Sequence, residues 1–276
     1  MRRRVEVAGR TITYLEGGAT VPVGASERVR TLLLLHAFPF SAAMWRPQLW
    51  SAPSGWRFVA PDFRGFGPDA AGEEANNPTI DDFAADALDL LNALSIDNVV
   101  VAGLSMGGYV AFALLQRAPE RVAGLMLADT RATADSPEGR AGRLAMIERL
   151  DQYGVAAVVD EMMPKLLGPT TRAQQPSLAG SLRRLMLENS AKTVRAAILR
   201  LMARPDRTPW LSEVTCPTLI IVGQEDTLTP VGESRYMQER IDGARLSIVP
   251  SAGHMSNVEQ PLAFNQEMNA FLALHF

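Results

Sequence analysis

The chain has 276 residues, of which 47% are hydrophobic and 21% are charged, so its composition excludes a disordered or fibrous protein. Its 27 basic and 30 acidic side chains give a net charge of −3, which offers no basic surface for a nucleic-acid backbone. The single cysteine, Cys216, excludes an internal disulfide and cannot by itself build a cysteine-based zinc or iron–sulfur site, which fits the reducing cytoplasm.

The first elements of the chain alternate apolar with polar side chains. Residues 3–7 and 11–15 do so on either side of Ala8-Gly9, which predicts an antiparallel hairpin. The N-terminal sequence MRRRVEVAGR has the positive charge of a signal peptide, but Glu6 and Arg10 interrupt the place where an apolar segment should follow. We therefore expect no signal peptide here.

Six later segments are short and almost continuously apolar, which is typical of parallel strands covered on both faces. They are residues 31–37, 57–62, 98–103, 123–129, 217–223 and 244–250. Helical patterns lie between them, including residues 80–94 with Thr79 as N-cap and a last helix over residues 261–274. The alternation predicts an open, doubly wound α/β sheet, with loops at residues 17–27 and 67–78.

Residues 98–116 carry no charge and reach about the length of a membrane span. Glycines at positions 103, 107 and 108 follow a β-branched run, a pattern that favours a buried strand turning sharply into a helix. We therefore predict no membrane span.

Residues 130–213 break the alternation, because they contain several amphipathic segments and no convincing strand. A connection of that length without structure would be unusual, so the segment is predicted to be a helical insertion between two strands. The predicted division is a core domain formed by residues 1–130 and 213–276 and a helical cap, or lid, formed by residues 131–212.

The sequence GLSMG at residues 103–107 matches the pattern GxSxG, which is weak evidence by itself. Its context strengthens it, because an apolar strand precedes Ser105 and a helix from Met106 to Gln116 follows, as a nucleophile elbow requires. Gly103 and Gly107 supply the small neighbours that such a turn needs. The alternative is a glycine-rich turn that only packs a helix on a strand.

A serine nucleophile needs a base, and the chain has only three histidines. His275 lies next to the C-terminus and is interpreted as a solvated tail residue, and His36 ends an apolar strand and is interpreted as structural. His254 lies in a loop between the last strand and the last helix, at the sheet edge where such folds place their sites. His254 is therefore the predicted base.

The acid that orients the base should lie between Ser105 and His254 in the chain. Glu225 and Asp226 follow the strand at residues 217–223, and Asp129 ends the preceding strand. Asp226 is favoured over Glu225 because it lies deeper in the turn. Asp129 is the main competitor and is interpreted as a helix N-cap.

An oxyanion hole needs two N–H donors, one after the nucleophile and one after the third strand. Met106 provides the first by its position. Pro39 has no N–H group, so the second is predicted to come from Phe38.

Five motifs now occur in one order along the chain: HAFP (36–39), DFRGFG (62–67), GLSMGG (103–108), GQEDTLTP (223–230) and AGHMSNVEQP (252–261). With them the whole chain resembles the α/β-hydrolase family with a helical cap, in particular its bacterial carboxylesterase branch near the 3-oxoadipate enol-lactonases and non-haem haloperoxidases. The resemblance implies a mostly parallel sheet flanked by helices. It also matches the family's functional residues to Ser105, Asp226, His254, Phe38 and Met106.

Family members usually have glycine where this chain has Ala37, so the loop around Phe38 is expected to differ slightly. Arg64, in the DFRGFG motif, is expected to brace a loop rather than take part in chemistry.

The function expected from the triad and the resemblance is hydrolysis of short-acyl carboxylic esters through an acyl-serine, with an ester and water as the only partners and no cofactor or metal. The alternatives are an enol-lactonase, a perhydrolase of the haloperoxidase type or, from another class, a ligand-binding receptor. The chain is expected to be a monomer or a dimer. Residues considered for an apolar acyl pocket are Trp45, Met162, Met163, Leu167 and Trp210.

Overall fold

The protein is described by a computed structural model over residues 1–7, 9–19, 29–68, 70 and 79–276. The strands of this part of the chain are β1 (Arg2–Val7), β2 (Arg10–Gly18), β3 (Arg30–Leu35), β4 (Trp56–Pro61), β5 (Val99–Leu104), β6 (Val122–Ala128), β7 (Thr218–Gly223) and β8 (Arg245–Val249). They form one sheet in the order β1-β2-β4-β3-β5-β6-β7-β8. β2 pairs antiparallel with β1 and β4, and every other neighbouring pair is parallel. The mostly parallel sheet is confirmed.

Helices flank the sheet and connect its strands. Those of the described residues are α1 (Arg46–Leu49), α2 (Ile80–Ala93), α3 (Met106–Arg117), α4 (Pro137–Leu166), α5 (Pro169–Gln174), α6 (Pro176–Leu187), α7 (Ala191–Ala203), α8 (Val231–Gln238), α9 (Ser256–Glu259) and α10 (Pro261–His275), with 3-10 turns at Ala42–Trp45, Pro119–Arg121 and Thr208–Glu213. The predicted cap of α2 is present as a capping box between Thr79 and Asp82.

The central strands are buried on both faces, which explains their continuous apolar sequences. Every residue of β5 and β7 is buried. The uncharged residues 98–116 are β5 and most of α3, so the strand-then-helix prediction is confirmed. Within the described ranges, none of the helices has the length and apolar character that a membrane crossing needs.

Helices alone connect β6 to β7, as the amphipathic pattern predicts. α4 is broken at Gly154, whose φ of 76° and ψ of −176° are not helical, and α4 packs against α6 and α7. That residues 131–212 act as a separate cap domain stays a prediction.

The parallel sheet brings the ends of five strands to one edge. β3 is followed by His36, β5 by Ser105 and β6 by Asp129, while Asp226 and His254 follow β7 and β8 at a short distance. The same edge receives the C-terminal end of α4, because Leu166 accepts a hydrogen bond from the main chain of His254 at 3.0 Å. Of the predicted loops, residues 17 and 18 belong to β2, whereas residues 20–27, 69 and 71–78 lie outside the described residues.

Candidate active site

Ser105 lies at the tip of a sharp turn between β5 and α3, which we name the serine turn (residues 103–108). Its φ of 53° and ψ of −112° are strained for a residue with a side chain. Hydrogen bonds to its main chain hold it there. The Ser105 N–H donates to Ala128 O at 2.9 Å, and the Ser105 carbonyl accepts from Gly108 N–H at 2.9 Å and from the Thr130 hydroxyl at 2.8 Å.

The glycines of the serine turn are required by close packing. A Cβ on Gly103 would lie 2.1 Å from Gly107 O, and a Cβ on Gly107 would lie 2.0 Å from Leu35 O. Both distances are far below van der Waals contact with rigid backbone atoms. The prediction that this turn tolerates only small neighbours is therefore confirmed.

His254 lies between Ser105 and Asp226 and is hydrogen-bonded to both side chains. His254 Nε2 is 2.8 Å from Ser105 Oγ, and His254 Nδ1 is 2.8 Å from Asp226 Oδ2. A carboxylate accepts from Nδ1–H, so Nε2 carries the lone pair that can accept the Ser105 proton. This arrangement can convert the hydroxyl into a nucleophile.

Asp226 is buried and accepts several hydrogen bonds besides the one from His254. Its Oδ1 accepts from the N–H groups of Leu228 at 2.8 Å and Thr229 at 3.0 Å, and its Oδ2 accepts from the Thr229 hydroxyl at 2.6 Å. Burial by itself would raise the pKa of Asp226, but the imidazole of His254 and these hydrogen bonds bring it below its ordinary value. The carboxylate is therefore ionised at neutral pH.

The pKa of His254 results from two opposed effects. Burial lowers it, whereas the charge and hydrogen bond of Asp226, followed by the charges of Asp129 and Glu259, raise it. The effect of the carboxylates exceeds that of burial, so the pKa of His254 lies above its ordinary value. An imidazole that gains basicity from its surroundings is suited to accept a proton from a hydroxyl.

The two predicted oxyanion donors belong to neighbouring loops. Phe38 lies in a turn after β3 that is closed by a hydrogen bond from Phe40 N–H to Ala37 O at 2.9 Å, and Met106 is the first residue of α3. Neither the Phe38 nor the Met106 N–H group donates to another described residue. Ala37 is not among the non-glycine residues with a positive φ, so its Cβ causes no backbone strain.

The other two histidines lie where the sequence predicts them, His36 in the interior and His275 in solvent. His36 is fully buried, with Nδ1 3.0 Å from Ala37 O and Nε2 accepting from Phe63 N–H at 3.0 Å. Burial lowers the pKa of His36 to about 3, so it stays neutral. His275 is exposed at the end of α10.

The interpretation of Asp129 as a helix N-cap is wrong. The following helix, α4, is capped by Ser136, and Asp129 is fully buried near Asp226. Its carboxylate accepts from Gly223 N–H at 2.8 Å and contacts the Ser256 hydroxyl, so it links the strand end of β7 to α9. Burial, followed by the charge of Asp226, raises the pKa of Asp129 well above its ordinary value.

Glu225, the other alternative acid, contacts a different part of the molecule. Its carboxylate accepts from the main-chain N–H of Thr170 at 3.0 Å and from the Thr170 hydroxyl, at the start of α5. No hydrogen bond to His254 is found for it in the described residues. Arg64 braces a loop as expected, because its guanidinium pairs with Asp86 of α2.

A cavity of about 130 Å³ lies beside Ser105 and His254. Its walls combine apolar, polar and basic side chains: Phe38, Ser105, Tyr109, Arg131, Arg143, Met146, Met162, Lys165, Leu166, Leu201, Leu228, Thr229 and His254. Of the five residues considered for an acyl pocket, only Met162 lines it. Trp45 packs in the core against Phe264 instead, with ring centroids 6.0 Å apart.

Glu259 is a buried residue of the site that the sequence reasoning missed. It is 1% exposed, and its carboxylate accepts from three main-chain N–H groups: Gly253 at 2.9 Å, Met255 at 3.1 Å and Gly168 at 2.9 Å. Gly253 and Met255 flank His254, and Gly168 directly precedes α5. Glu259 belongs to the AGHMSNVEQP motif, but nothing in that sequence distinguishes it from an ordinary solvated glutamate.

No group of three or more His, Cys, Asp or Glu side chains suited to a metal ion is found in the part of the chain that the structure describes.

Comparison with known proteins gives a consistent picture. The profile of a family described as alpha/beta hydrolase fold matches residues 30–261. A solved esterase from Thermogutta terrifontis is 32% identical and superimposes with a TM-score of 0.90 over 100% of both chains. A 3-oxoadipate enol-lactonase of Acinetobacter baylyi is 27% identical over 97% of this chain and 98% of its own. A putative carbamate hydrolase of Caulobacter sp. is 30% identical over 90% of this chain and 92% of its own.

Proposed function

The chain belongs to the alpha/beta hydrolase fold family, and we propose that it is a serine carboxylesterase acting on small, short-acyl esters. The observation that carries the proposal is the pair of 2.8 Å hydrogen bonds that join Ser105 to His254 and His254 to Asp226. Both are within the range at which a base can take the proton of a nucleophile and be oriented by an acid. The esterase from Thermogutta terrifontis, at 32% identity, supports the choice of substrate class.

In the proposed reaction, Ser105 Oγ attacks the ester carbonyl carbon while His254 Nε2 takes the hydroxyl proton. Asp226 stabilises the imidazolium that forms. The N–H groups of Phe38 and Met106 bind the oxyanion of the tetrahedral intermediate, which collapses as His254 returns the proton to the leaving alcohol. Water then attacks the acyl-serine by the same route, releasing the carboxylic acid and restoring Ser105.

The helices of residues 131–212 act as a lid over this site in our proposal. Residues 166–168 lie against the loop of His254, and Met146, Met162 and Leu166 contribute to the cavity wall. These three apolar side chains offer a contact surface that suits a short acyl group.

A lactonase is the second candidate. It is favoured by the 3-oxoadipate enol-lactonase of Acinetobacter baylyi, which matches 97% of this chain. Lactone and ester hydrolysis would use Ser105, His254 and Asp226 in the same roles, so the residues of the site do not separate them. Relative kcat/KM values for a panel of short esters and enol-lactones distinguish the two candidates. We expect the esters to be preferred.

Substitution of the nucleophile tests the proposed reaction. We expect Ser105→Ala to lower kcat for p-nitrophenyl acetate and butyrate by more than about 10³-fold, because no other group can form the acyl intermediate. The matched control is Ser177→Ala, which changes an exposed serine on α6. Retention of more than about a hundredth of the wild-type rate by Ser105→Ala would contradict the proposal.

Two expectations about the protein's surroundings stay predictions. The cytoplasmic location rests on the single cysteine, and fractionation of the source cells tests it. The oligomeric state, monomer or dimer, is measured by light scattering.

A further inference from the structure

The cavity beside Ser105 has an uneven charge. Three of its lining residues, Arg131, Arg143 and Lys165, are basic, and none of the described residues that line it is acidic. An apolar acyl group alone gives no reason for such a wall, because burying cationic groups near an apolar ligand costs solvation energy. The basic residues therefore call for a partner, either within the protein or in the ligand.

Part of their charge is neutralised within the protein. Asp135, whose side chain is 1% exposed, pairs with Arg131 at 3.2 Å, Arg143 at 3.3 Å and Arg204 at 2.8 Å. Arg204 is itself buried and also donates to the carbonyl oxygens of Leu201 and Thr133, so its role is structural. Three guanidinium groups thus share one carboxylate, which leaves an excess of positive charge.

The remaining acidic groups near this wall do not remove the excess. Glu161 contacts Lys165 at 3.3 Å but also pairs with Arg149 at 2.8 Å, and Glu233 acts on Arg131 through its charge. Neither carboxylate lines the cavity. The Nε–H of Arg131 is buried and has no hydrogen-bond partner among the described residues. Arg131 is also hydrogen-bonded to Tyr109, yet the side chains of Arg131 and Arg143 remain 25% and 20% exposed.

We propose that Arg131 and Arg143 form an anion subsite of the cavity, and that the substrate is a short ester or lactone carrying a carboxylate group. This inference rests on the proposed function and adds the substrate class. The planar guanidinium matches a carboxylate by two parallel hydrogen bonds, which makes a carboxylate the anion that best suits these side chains. Lys165, more exposed at 52%, adds a long-range attraction at the rim.

Matched substrates test the subsite with Ser105 chemistry held constant. The p-nitrophenyl hemiester of succinic acid carries a carboxylate where p-nitrophenyl 4-methylpentanoate carries an isopropyl group of similar shape. A second pair, acetoxyacetate and isobutyl acetate, places the same difference on the alcohol side. We expect the anionic member of at least one pair to have the higher kcat/KM, and its advantage to fall as ionic strength rises.

Substitutions connect that preference to the residues. Arg143→Gln leaves Asp135 with two arginine partners, and we expect it to lower the anionic-to-neutral ratio of kcat/KM by about tenfold, as for loss of a hydrogen bond to a charged group. Arg143→Lys keeps the charge and should retain part of the preference. The control Arg140→Gln removes the same charge from an exposed position of α4 outside the cavity and should leave the ratio unchanged.

A binding measurement makes the subsite testable without catalysis. Calorimetry on the Ser105→Ala protein should detect glutarate binding that is weaker in Ser105→Ala/Arg143→Gln and unchanged in Ser105→Ala/Arg140→Gln. Two results together would overturn the subsite. The wild-type enzyme would hydrolyse the neutral esters with no preference for the anionic member of either pair, and the Ser105→Ala protein would bind no glutarate. Loss of Ser105-dependent hydrolysis of every ester would instead contradict the proposed function, and glutarate binding would still decide the subsite.

Discussion

Ser105 and His254 lie 2.8 Å apart across the site, yet the loops that carry them are held in different ways. The serine turn is fixed by its own backbone and by the strand ends beside it, through glycines that allow the chains to approach closely. The loop of His254, which we name the histidine loop (residues 250–256), is fixed largely by buried carboxylates. Asp226 holds the imidazole, Glu259 holds the main chain on both sides of it, and Asp129 contacts Ser256.

The difference separates two kinds of positioning. Steric fixation of the serine turn depends on close contacts with its own backbone and with the ends of the neighbouring strands, and we expect it to fail when one Cβ is added. Electrostatic fixation of the histidine loop depends on side chains from distant segments, and it also sets the proton affinity of the imidazole. We therefore expect a side chain added at Gly103 or Gly107 to destabilise the fold, and substitutions around the histidine loop to alter rate and pH dependence in a folded protein.

The largest effect on stability should come from Gly103→Ala. The new Cβ would lie 2.1 Å from Gly107 O, a backbone atom that cannot move without disrupting the turn, so we expect a loss of about 3 kcal/mol or more in unfolding free energy. Denaturant unfolding measures it. Gly142→Ala is the matched control, since nothing lies within 4 Å of its Cβ and alanine favours the helix. An unchanged unfolding midpoint in Gly103→Ala would refute steric fixation.

The next effect distinguishes the two buried aspartates beside the histidine loop. Asp226→Asn should lower kcat by about 10³-fold or more, because an amide cannot stabilise the imidazolium. Asp129→Asn should lower it by less than about tenfold, since Asp129 accepts hydrogen bonds from Gly223 and Ser256, whereas the imidazole of His254 is hydrogen-bonded to Asp226. Steady-state kinetics with p-nitrophenyl butyrate compares them. A larger loss in Asp129→Asn would assign the acid to Asp129 instead, and equal losses would contradict the distinction between the two aspartates.

A smaller effect should appear in Glu259→Gln, which keeps the shape of the side chain but replaces one accepting oxygen with an NH2 group. We expect kcat to fall about tenfold with little change in KM, because the histidine loop loses part of its anchoring. Glu259 also raises the pKa of His254, so its removal lowers that pKa. Neutral His254 then persists to lower pH, and the acid limb of the kcat/KM profile shifts downward.

Glu239→Gln, which removes an exposed carboxylate of the same type, is the control for the pH shift. An acid limb that stays in place in Glu259→Gln, or moves to higher pH, would show that Glu259 does not act on His254.

The fold and the centre of the site were predictable because both depend on local patterns. Continuous apolar segments predicted each of the strands β3 to β8. The glycines around Ser105 predicted the sharp turn after β5. The position of His254 followed from the small number of histidines and from its place after the last strand. These signals lie within a few residues of the feature that they predict.

The remaining features depend on contacts between distant segments. The prediction for Asp129 was wrong because an aspartate after a strand often caps the next helix. Here its carboxylate accepts hydrogen bonds from Gly223 and Ser256, which are far away in the chain. Of the five residues considered for an acyl pocket, Met162 lines the cavity, whereas Trp45, which is also apolar, packs in the core. Tertiary packing decides which side of a helix lines a site. The basic residues that pair with Asp135 beside the cavity were not predicted from the sequence.

Covalent labelling of the resting protein by a fluorophosphonate tests most directly the claim that Ser105 is a nucleophile activated by His254. We expect one adduct per chain, located at Ser105 by peptide mass spectrometry. It should be absent in Ser105→Ala and form more slowly as the pH falls through the raised pKa of His254. An adduct at another residue, or labelling of Ser105→Ala at the wild-type rate, would contradict it.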